Sequence, residues 1–364
     1  MKKFFNKLSN NKFYKKLTKD KFVFISLLIL FFLYLSITFA GFFATYGKMF
    51  SDRRLSYAPP SKIFVIDQNG KLSLPYTYNY KRTFNPENFQ MDFQLDRSQK
   101  YYLRFFSQGD KYKLLNLIPC KTHLVTVNSQ GRLFLLGTDI NGRDIFSRLF
   151  YGGQISLTIG FLALLISFPI GLLYGGIAGY FGGAVDNYMM RVAEAIMSIP
   201  SFYLLISLAA ILPANMTSIQ RFTLIIAILA FIGWAGLSRV VRGMVLSIKN
   251  QEFVEAAKAI GASPMRIIIK HILPQTASYV IVAITLSVPG YILAESGLSF
   301  LGLGIQQPDA SWGNMLKEAQ EYINVLYRPW LLTPGVLIFI TVLAFNLVGD
   351  AVRDILDPKS RVRK

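Results

Sequence analysis

Five stretches without a single charged residue constrain this chain more than any other feature: Phe22–Thr45, Ile155–Tyr180, Phe222–Ser238, Ile272–Ala294 and Pro329–Gly349. A helix of about 20 apolar residues crosses the hydrocarbon core of a bilayer, and each stretch is long enough to do so. A sixth, Val192–Ala214, carries one carboxylate, Glu194, near its start. Together they predict an all-α polytopic membrane protein with six transmembrane helices. A hydrophobic share of 52% over 364 residues is too high for an ordinary soluble domain and agrees with that reading.

Charge predicts the orientation, because short loops rich in Lys and Arg stay in the cytoplasm. Eight basic residues precede Phe22, six lie from Arg239 to Lys270 and five follow Ala351, whereas the short loops of the opposite side hold only Arg221, Lys317 and Arg328. Both termini are therefore expected inside. The formal charge of +19 points to anionic lipid beside the inner tails, not to nucleic acid. The first span is too long for a signal-peptide core and lacks a persuasive small-residue cleavage site, so it reads as retained. Cys120, the sole cysteine, is expected to be a buried unpaired thiol.

The expected organisation is a basic cytoplasmic tail at 1–21, a first span at 22–45 and an outer-face, β-rich insertion at 46–136. A helical core follows at 137–350, with a cytoplasmic loop at 239–274, and a tail at 351–364 ends the chain. In the insertion, "KIFVIDQNGKLSL" and "HLVTVNSQGRLFLL" each read as two short strands around a Gly-containing turn, the first centred on Asn69 and Gly70. The aromatics of "LPYTYNYKRTF" are expected to pack one face of a small sheet.

The stretch "EFVEAAKAIGASPMRIIIKHILP", Glu252–Pro274, belongs to no span. Phe253, Ala256, Ala257 and Ile260 recur at helical spacing, with Glu255 and Lys258 off that stripe. Gly261 is expected to end the helix. Ser263 as N-cap and Pro264 in the first turn then open a second helix, which runs to Leu273 and meets Pro274 at the membrane. By periodicity this is a surface helix or a docking element, and the small Ala256 and Ala257 beside a glycine suit close approach by another protein.

The order Glu255, Ala256, Ala257, Gly261, Leu273, Pro274 resembles the EAA signature of permease subunits of bacterial ATP-binding-cassette (ABC) importers, with His271 where an isoleucine is usual. "LGTDINGRDIFSRLFYGGQISLTIG", "GYFGGAVDNYMMR", "ESGLSFLGLGIQQPDASWGNML" and "ITVLAFNLVGDAVRDILDPK" narrow the resemblance to the C-type permease of the dipeptide and oligopeptide branch. Glu194 stands where many relatives have Asp. The large insertion is similar to that of permeases for longer peptides, including the microcin C type.

This resemblance implies a type I importer core and a coupling loop at 239–274 that fits a cleft in a cytoplasmic ATPase, with Glu255, Ala256, Ala257, Gly261, Ser263 and Pro264 as its coupling residues. It implies as partners a second permease subunit, expected to make a heterodimer, two ATPase subunits carrying ATP and Mg, and an extracytoplasmic peptide-binding protein. It also marks a re-entrant outer loop around Glu295, Gly302, Gly304 and Trp312 that gates the path or meets the binding protein. A lipid-anchoring loop is the alternative, with Pro308 breaking it, Trp312 at the interface and Glu295 as a water-exposed helix-end carboxylate. Gly137, Asp139, Gly142, Arg143 and Asp144 are expected to form a capped, ion-paired turn at the outer mouth before the second span.

No G-x-x-x-x-G-K-[ST] phosphate loop occurs, His123 and His271 are far apart, and neither a metal cluster nor a nucleophile–base pair stands out, so no catalysis and no cofactor are expected of this chain. A proton-coupled carrier would need a mid-membrane titratable relay, which is not evident. A membrane-anchored outer-face binding or scaffold protein would account for the insertion but not for the further spans.

Overall fold

The computed structural model describes residues 20–67, 70–85, 90–115, 117–213 and 215–356 of the chain. Most of the basic tail at 1–21, Asn69 of the first expected turn, Ala214 at the end of the sixth stretch and the end of the tail at 351–364 lie outside the described residues.

Among the described residues five helical stretches are long and apolar enough to cross a bilayer: Lys21–Thr38, Ile145–Phe181, Ser218–Ile248, Pro264–Phe300 and Pro329–Leu356. They contain α1 (Lys21–Thr38), α3 (Ile145–Phe181), α6 (Ser218–Ile248), α9 (Ala277–Phe300) and α12 (Thr333–Leu356). A short α2, Ala40–Phe43, follows α1, and α11, Tyr322–Tyr327, precedes α12. The expected single span at Val192–Ala214 is instead a bent pair, α4 (Gly183–Met197) and α5 (Ser201–Ala210), meeting at 77°. The break is at Pro200, whose ψ of 121° is extended, and a residue preceding proline is itself driven out of the helical region.

The chain divides into two compact units whose boundaries fall within α1, α3, α9 and α12. The first takes the chain up to Phe31, Leu157–Leu298 and the chain from Phe339 onward. One of its clusters joins Val23 and Leu30 of α1 to Ala344, Val348 and Val352 of α12, and another packs Ala193 of α4 with Trp234 and Ala235 of α6. Large apolar side chains such as Leu165, Phe231 and Phe339 remain 58%, 52% and 65% exposed, as expected of surfaces that meet lipid.

The second unit, Phe32–Ser156 with Ser299–Ile338, contains the strands. β1 (Phe64–Ile66), β2 (Leu72–Asn85) and β3 (Gln90–Tyr102) form an antiparallel sheet in that order, and β4 (Arg104–Leu114) pairs with β5 (Ile118–Thr126). Side chains two apart share a sheet face, so Tyr76, Tyr78 and Tyr80 line up along β2. Tyr76 and Tyr78 are buried against Phe64, and the Tyr80 hydroxyl donates to the Pro60 carbonyl at 2.8 Å. The aromatics thus pack as a sheet face. The β1–β2 hairpin turns through Gly70 at φ +73°.

The second expected hairpin is corrected. "HLVT" does belong to a strand, β5, but it pairs with the preceding β4, and "RLFLL" forms no strand. Leu133 and Phe134 are both fully buried, which a pleated strand with one buried face does not allow for adjacent residues. Their backbone amides donate to the Tyr46 hydroxyl at 2.7 Å and to Ser61 Oγ at 2.9 Å, so side chains take over the role of a ladder. Within β5, His123 is a buried pin whose ring nitrogens lie 2.6 Å from the Ala44 carbonyl and 2.9 Å from that of Asp110. Cys120 is half-buried, not buried as expected.

Candidate functional site

The broken helix is held by a close helix pair in the first unit. Along α3, Gly171, Gly175 and Gly179 recur every fourth residue, and Cβ atoms built there would stand 2.9, 2.3 and 2.8 Å from the carbonyl oxygens of Trp234, Ser238 and Arg242 on α6. Only glycine permits such an approach, the small-residue seam by which helices associate in membranes. Sequence reasoning passed over this spacing within "IGLLYGGIAGY", although small-x-x-x-small was there to be read. Two polar contacts extend the seam: Arg242 Nη2 donates to Asp186 Oδ2 at 2.5 Å, and Lys249 Nζ donates to the Gly179 carbonyl at 3.1 Å. Asp186 lies on α4, so this ion pair ties the start of the bent pair to the end of α6.

Three residues beyond Lys249 begins the docking candidate. α7, Glu252–Ala259, has Glu252 and Glu255 in its first turn and Lys258 in its last, each sign at the end of the helix dipole it complements. The face turned into the protein is Val254 and Ala257, while Phe253, Ala256 and Ile260 of the expected apolar stripe are exposed, Ile260 by 85%. The stripe is therefore divided: Ala257 holds the helix down, and the others with Glu255 form its outward face. Lys258 Nζ lies 5.7 Å from the Tyr180 ring centroid, a cation–π contact with the end of α3.

Gly261 ends the helix at φ +79°. Ala262 N–H donates to the Ala257 carbonyl at 3.1 Å and Gly261 N–H to that of Lys258 at 2.9 Å, the paired bonds of a Schellman motif. Ser263 occupies the N-cap position and Pro264 the first turn of α8, Pro264–Ile267, but the Ser263 hydroxyl makes no capping bond. The second helix does not stop at Leu273 as expected. A π turn at Ile268–Ile272 and a 3-10 turn at Leu273–Thr276 carry it past Pro274 into α9, since widened turns release the backbone bond that proline cannot make. Ile267, Ile268 and Ile272 are fully buried and anchor this return.

The second unit carries the other candidates. Asp139 Oδ1 accepts the backbone N–H groups of Asn141 and Arg143 at 2.9 and 3.0 Å, and Oδ2 accepts Arg143 Nε at 2.6 Å. Asp144 Oδ2 accepts Ser147 N–H at 2.8 Å and Ser147 Oγ–H at 2.5 Å, capping α3. All three site residues of this turn are buried. Sequence reasoning missed two further members. Arg148 Nε lies 3.6 Å from Asp139 Oδ2, and Glu318 Oε2 accepts the Ile140 N–H at 3.0 Å. Burial pushes the Asp144 carboxyl up to about 7, against the pull of Ser147. Burial, followed by the charge of Asp139, does the same to Glu318, also up to about 7.

Trp312 is corrected as an interface anchor. It opens α10, Trp312–Leu316, at 1% exposure, and its indole N–H donates to the Leu149 carbonyl at 2.9 Å. Glu295, expected to meet water in the lipid-anchoring alternative, is fully buried in the first unit, where its Oε2 accepts the Ser296 hydroxyl at 3.4 Å. Gly302 turns the chain at φ +79° after α9, and Gly304 lies against Ser299. The residues beyond α9 border a cleft of about 520 Å³ in the second unit.

A polytopic helical protein that suspends a glycine-terminated amphipathic helix from a tightly packed helix pair has the build of a transport permease. Residues 167–362 match the family described as binding-protein-dependent transport system inner membrane component. The match spans more than half the chain, which belongs to that family and is a permease component of the ABC importer class. It is 47% identical over 227 residues to the dipeptide transport system permease protein DppC of Bacillus subtilis (strain 168), covering 62% of this chain and 68% of that protein. It is 46% identical to the oligopeptide transport system permease protein OppC of Haemophilus influenzae, over 62% of this chain and 70% of that one. Against the glutathione transport system permease protein GsiD of Escherichia coli O157:H7 the identity is 43%, over 61% and 71%.

Proposed function

We propose that this chain forms half of a path for peptides across the bacterial cytoplasmic membrane and couples it to ATP hydrolysed elsewhere. Its partners are a second, different permease, two cytoplasmic ATPases that bind ATP and Mg, and an extracytoplasmic peptide-binding protein. Peptide as cargo rests on the relatives named for dipeptide and oligopeptide transport. The observation that carries the coupling is α7: Phe253, Glu255, Ala256 and Ile260 stand outward on a helix whose inner face and ends are fixed. Such a helix transmits a push to α6 and α9 without bending.

In this reading the bent pair α4–α5 counts as one of six spans of a type I permease core at 137–350. Both termini and the 239–274 loop face the cytoplasm, and the 46–136 insertion faces outward. Glu255, Ala256, Ala257, Gly261, Ser263 and Pro264 carry the coupling. Glu295, Gly302, Gly304 and Trp312 shape the outer loop, and Asp139, Arg143 and Asp144 fix the entry of α3. Purification of the tagged chain tests the assembly: ATP-hydrolysing subunits and one distinct permease are expected to accompany it, and the complex in proteoliposomes is expected to import peptide only with ATP on the ATPase side. Peptide import without ATP, driven by a proton gradient, would replace this reading with the secondary carrier.

A further inference from the structure

The 520 Å³ cleft in the second unit is within the size range of small-ligand sites, and its polar groups divide into two kinds. Some are spent on structure. The Asn314 carboxamide donates to the carbonyls of Ile305 and Asp309 at 3.1 and 2.9 Å and accepts Ser311 N–H at 3.1 Å, and Asn324 donates to the Glu318 carbonyl at 2.8 Å. Those bonds make the walls rigid. Others retain capacity. Gln306 and Gln320 each use only an amide N–H, donated to the carbonyls of Gly302 and Phe300 at 3.2 Å, and Gln307 makes no hydrogen bond among the described residues. Lys317 has no carboxylate partner among the described residues, and its Nζ stands 2.9 Å from where a Cβ on Gly302 would be, both residues lining the cleft.

A carboxamide offers one donor group and one acceptor, the same pair that a peptide bond presents in reverse. An ammonium without a partner binds a carboxylate. Glu321, whose Oε2 accepts the Asn324 amide at 3.2 Å, adds the opposite charge, so a dipolar ligand suits this cleft better than a simple anion. We propose that the cleft receives the carboxyl-terminal end of the transported peptide, Lys317 holding the terminal carboxylate and Gln306, Gln307 and Gln320 pairing with the last peptide groups. The proposal rests on the peptide reading above and adds a contact that reading does not require.

The test uses the complete importer with its binding protein in proteoliposomes and two peptides of one sequence, one ending in a free acid and one in an amide. Any preference of the binding protein for either end is common to all permease variants and cancels when acid-to-amide uptake ratios are compared between them. Lys317→Ala is expected to lower that ratio about fivefold, the worth of one partly exposed charge pair, and Lys317→Arg to keep most of it. Equal loss for both peptides, or no loss for either, overturns the proposal while leaving peptide transport itself standing. A photo-crosslinking residue at Gln306 is expected to capture labelled peptide, with the free acid competing better than the amide. Capture of the binding protein instead assigns the cleft to protein docking and overturns the proposal. Wild-type importer that moves neither peptide defeats the peptide reading and this site with it.

Discussion

A Cβ on Gly175 would stand 2.3 Å from the Ser238 carbonyl oxygen, a backbone atom that no rotamer change can move. Gly175→Val must therefore part α3 from α6, and overpacking of this kind costs about 1–3 kcal/mol. Thermal unfolding of the purified protein is expected to show a lower Tm for Gly175→Val, whereas Gly236→Ala, where an added Cβ meets nothing within 4 Å, is expected to raise it slightly through helix propensity. Equal Tm values for the two variants would mean that the seam does not hold the pair. A second residue-scale effect concerns protons. Asp144 and Glu318 both titrate near 7, above their ordinary values of 3.8 and 4.5. The folded form thus holds more protons than the unfolded between about pH 4 and 7, and their contribution to stability grows as pH falls through that window. Asp144→Asn, which keeps an acceptor for Ser147, is expected to flatten the dependence of Tm on pH between 5 and 7. An unchanged slope would show that Asp144 is ionised throughout.

At the scale of elements, α7 depends on how it ends. Gly261 has φ +79° and open space around it, so a side chain there meets backbone strain and no steric clash. The left-handed conformation costs an ordinary residue about 1–2 kcal/mol, less for asparagine and more for a β-branched side chain. ATPase copurification and ATP-driven uptake are therefore expected to fall in the order Gly, Asn, Ala, Val, at constant membrane level. A loss that ignores this order would locate the role of Gly261 in contact with the partner instead of in the turn. This turn was legible in the sequence because glycine after an amphipathic stripe has one common meaning. The division of the stripe between Ala257 inside and Phe253 outside was not legible, since periodicity names a face without saying what covers it. The break at Pro200 was written in "SIPS" but hidden by the apolar content on both sides. β3 was passed over because its polar residues mask the alternation of Met91, Phe93 and Leu95. Arg148 and Glu318, 170 residues apart, meet at the same buried turn through tertiary placement that no local pattern announces.

For the whole molecule, sidedness can be read from the most exposed apolar residues of the two units. Leu72 on β2 is 89% exposed and Ile260 after α7 is 85% exposed, so a thiol at either place reacts if the reagent reaches its side of the membrane. Cys120 is half-buried and would contribute background, which Cys120→Ser removes. The basic residues before Phe22, from Arg239 to Lys270 and after Ala351 argue that the N-terminal tail and Ile260 are inside, and the first span then places Leu72 outside. A membrane-impermeant maleimide added to intact spheroplasts is thus expected to label Leu72→Cys, and to label Ile260→Cys only after permeabilisation. Expression without the ATPase partners keeps Ile260 uncovered, so a failure to label it cannot be blamed on a docked subunit. Labelling of both positions in intact spheroplasts would place α7 on the outer face, where no ATP is available, and would remove the basis for coupling. Labelling of Ile260→Cys alone would invert the whole arrangement and make the insertion cytoplasmic.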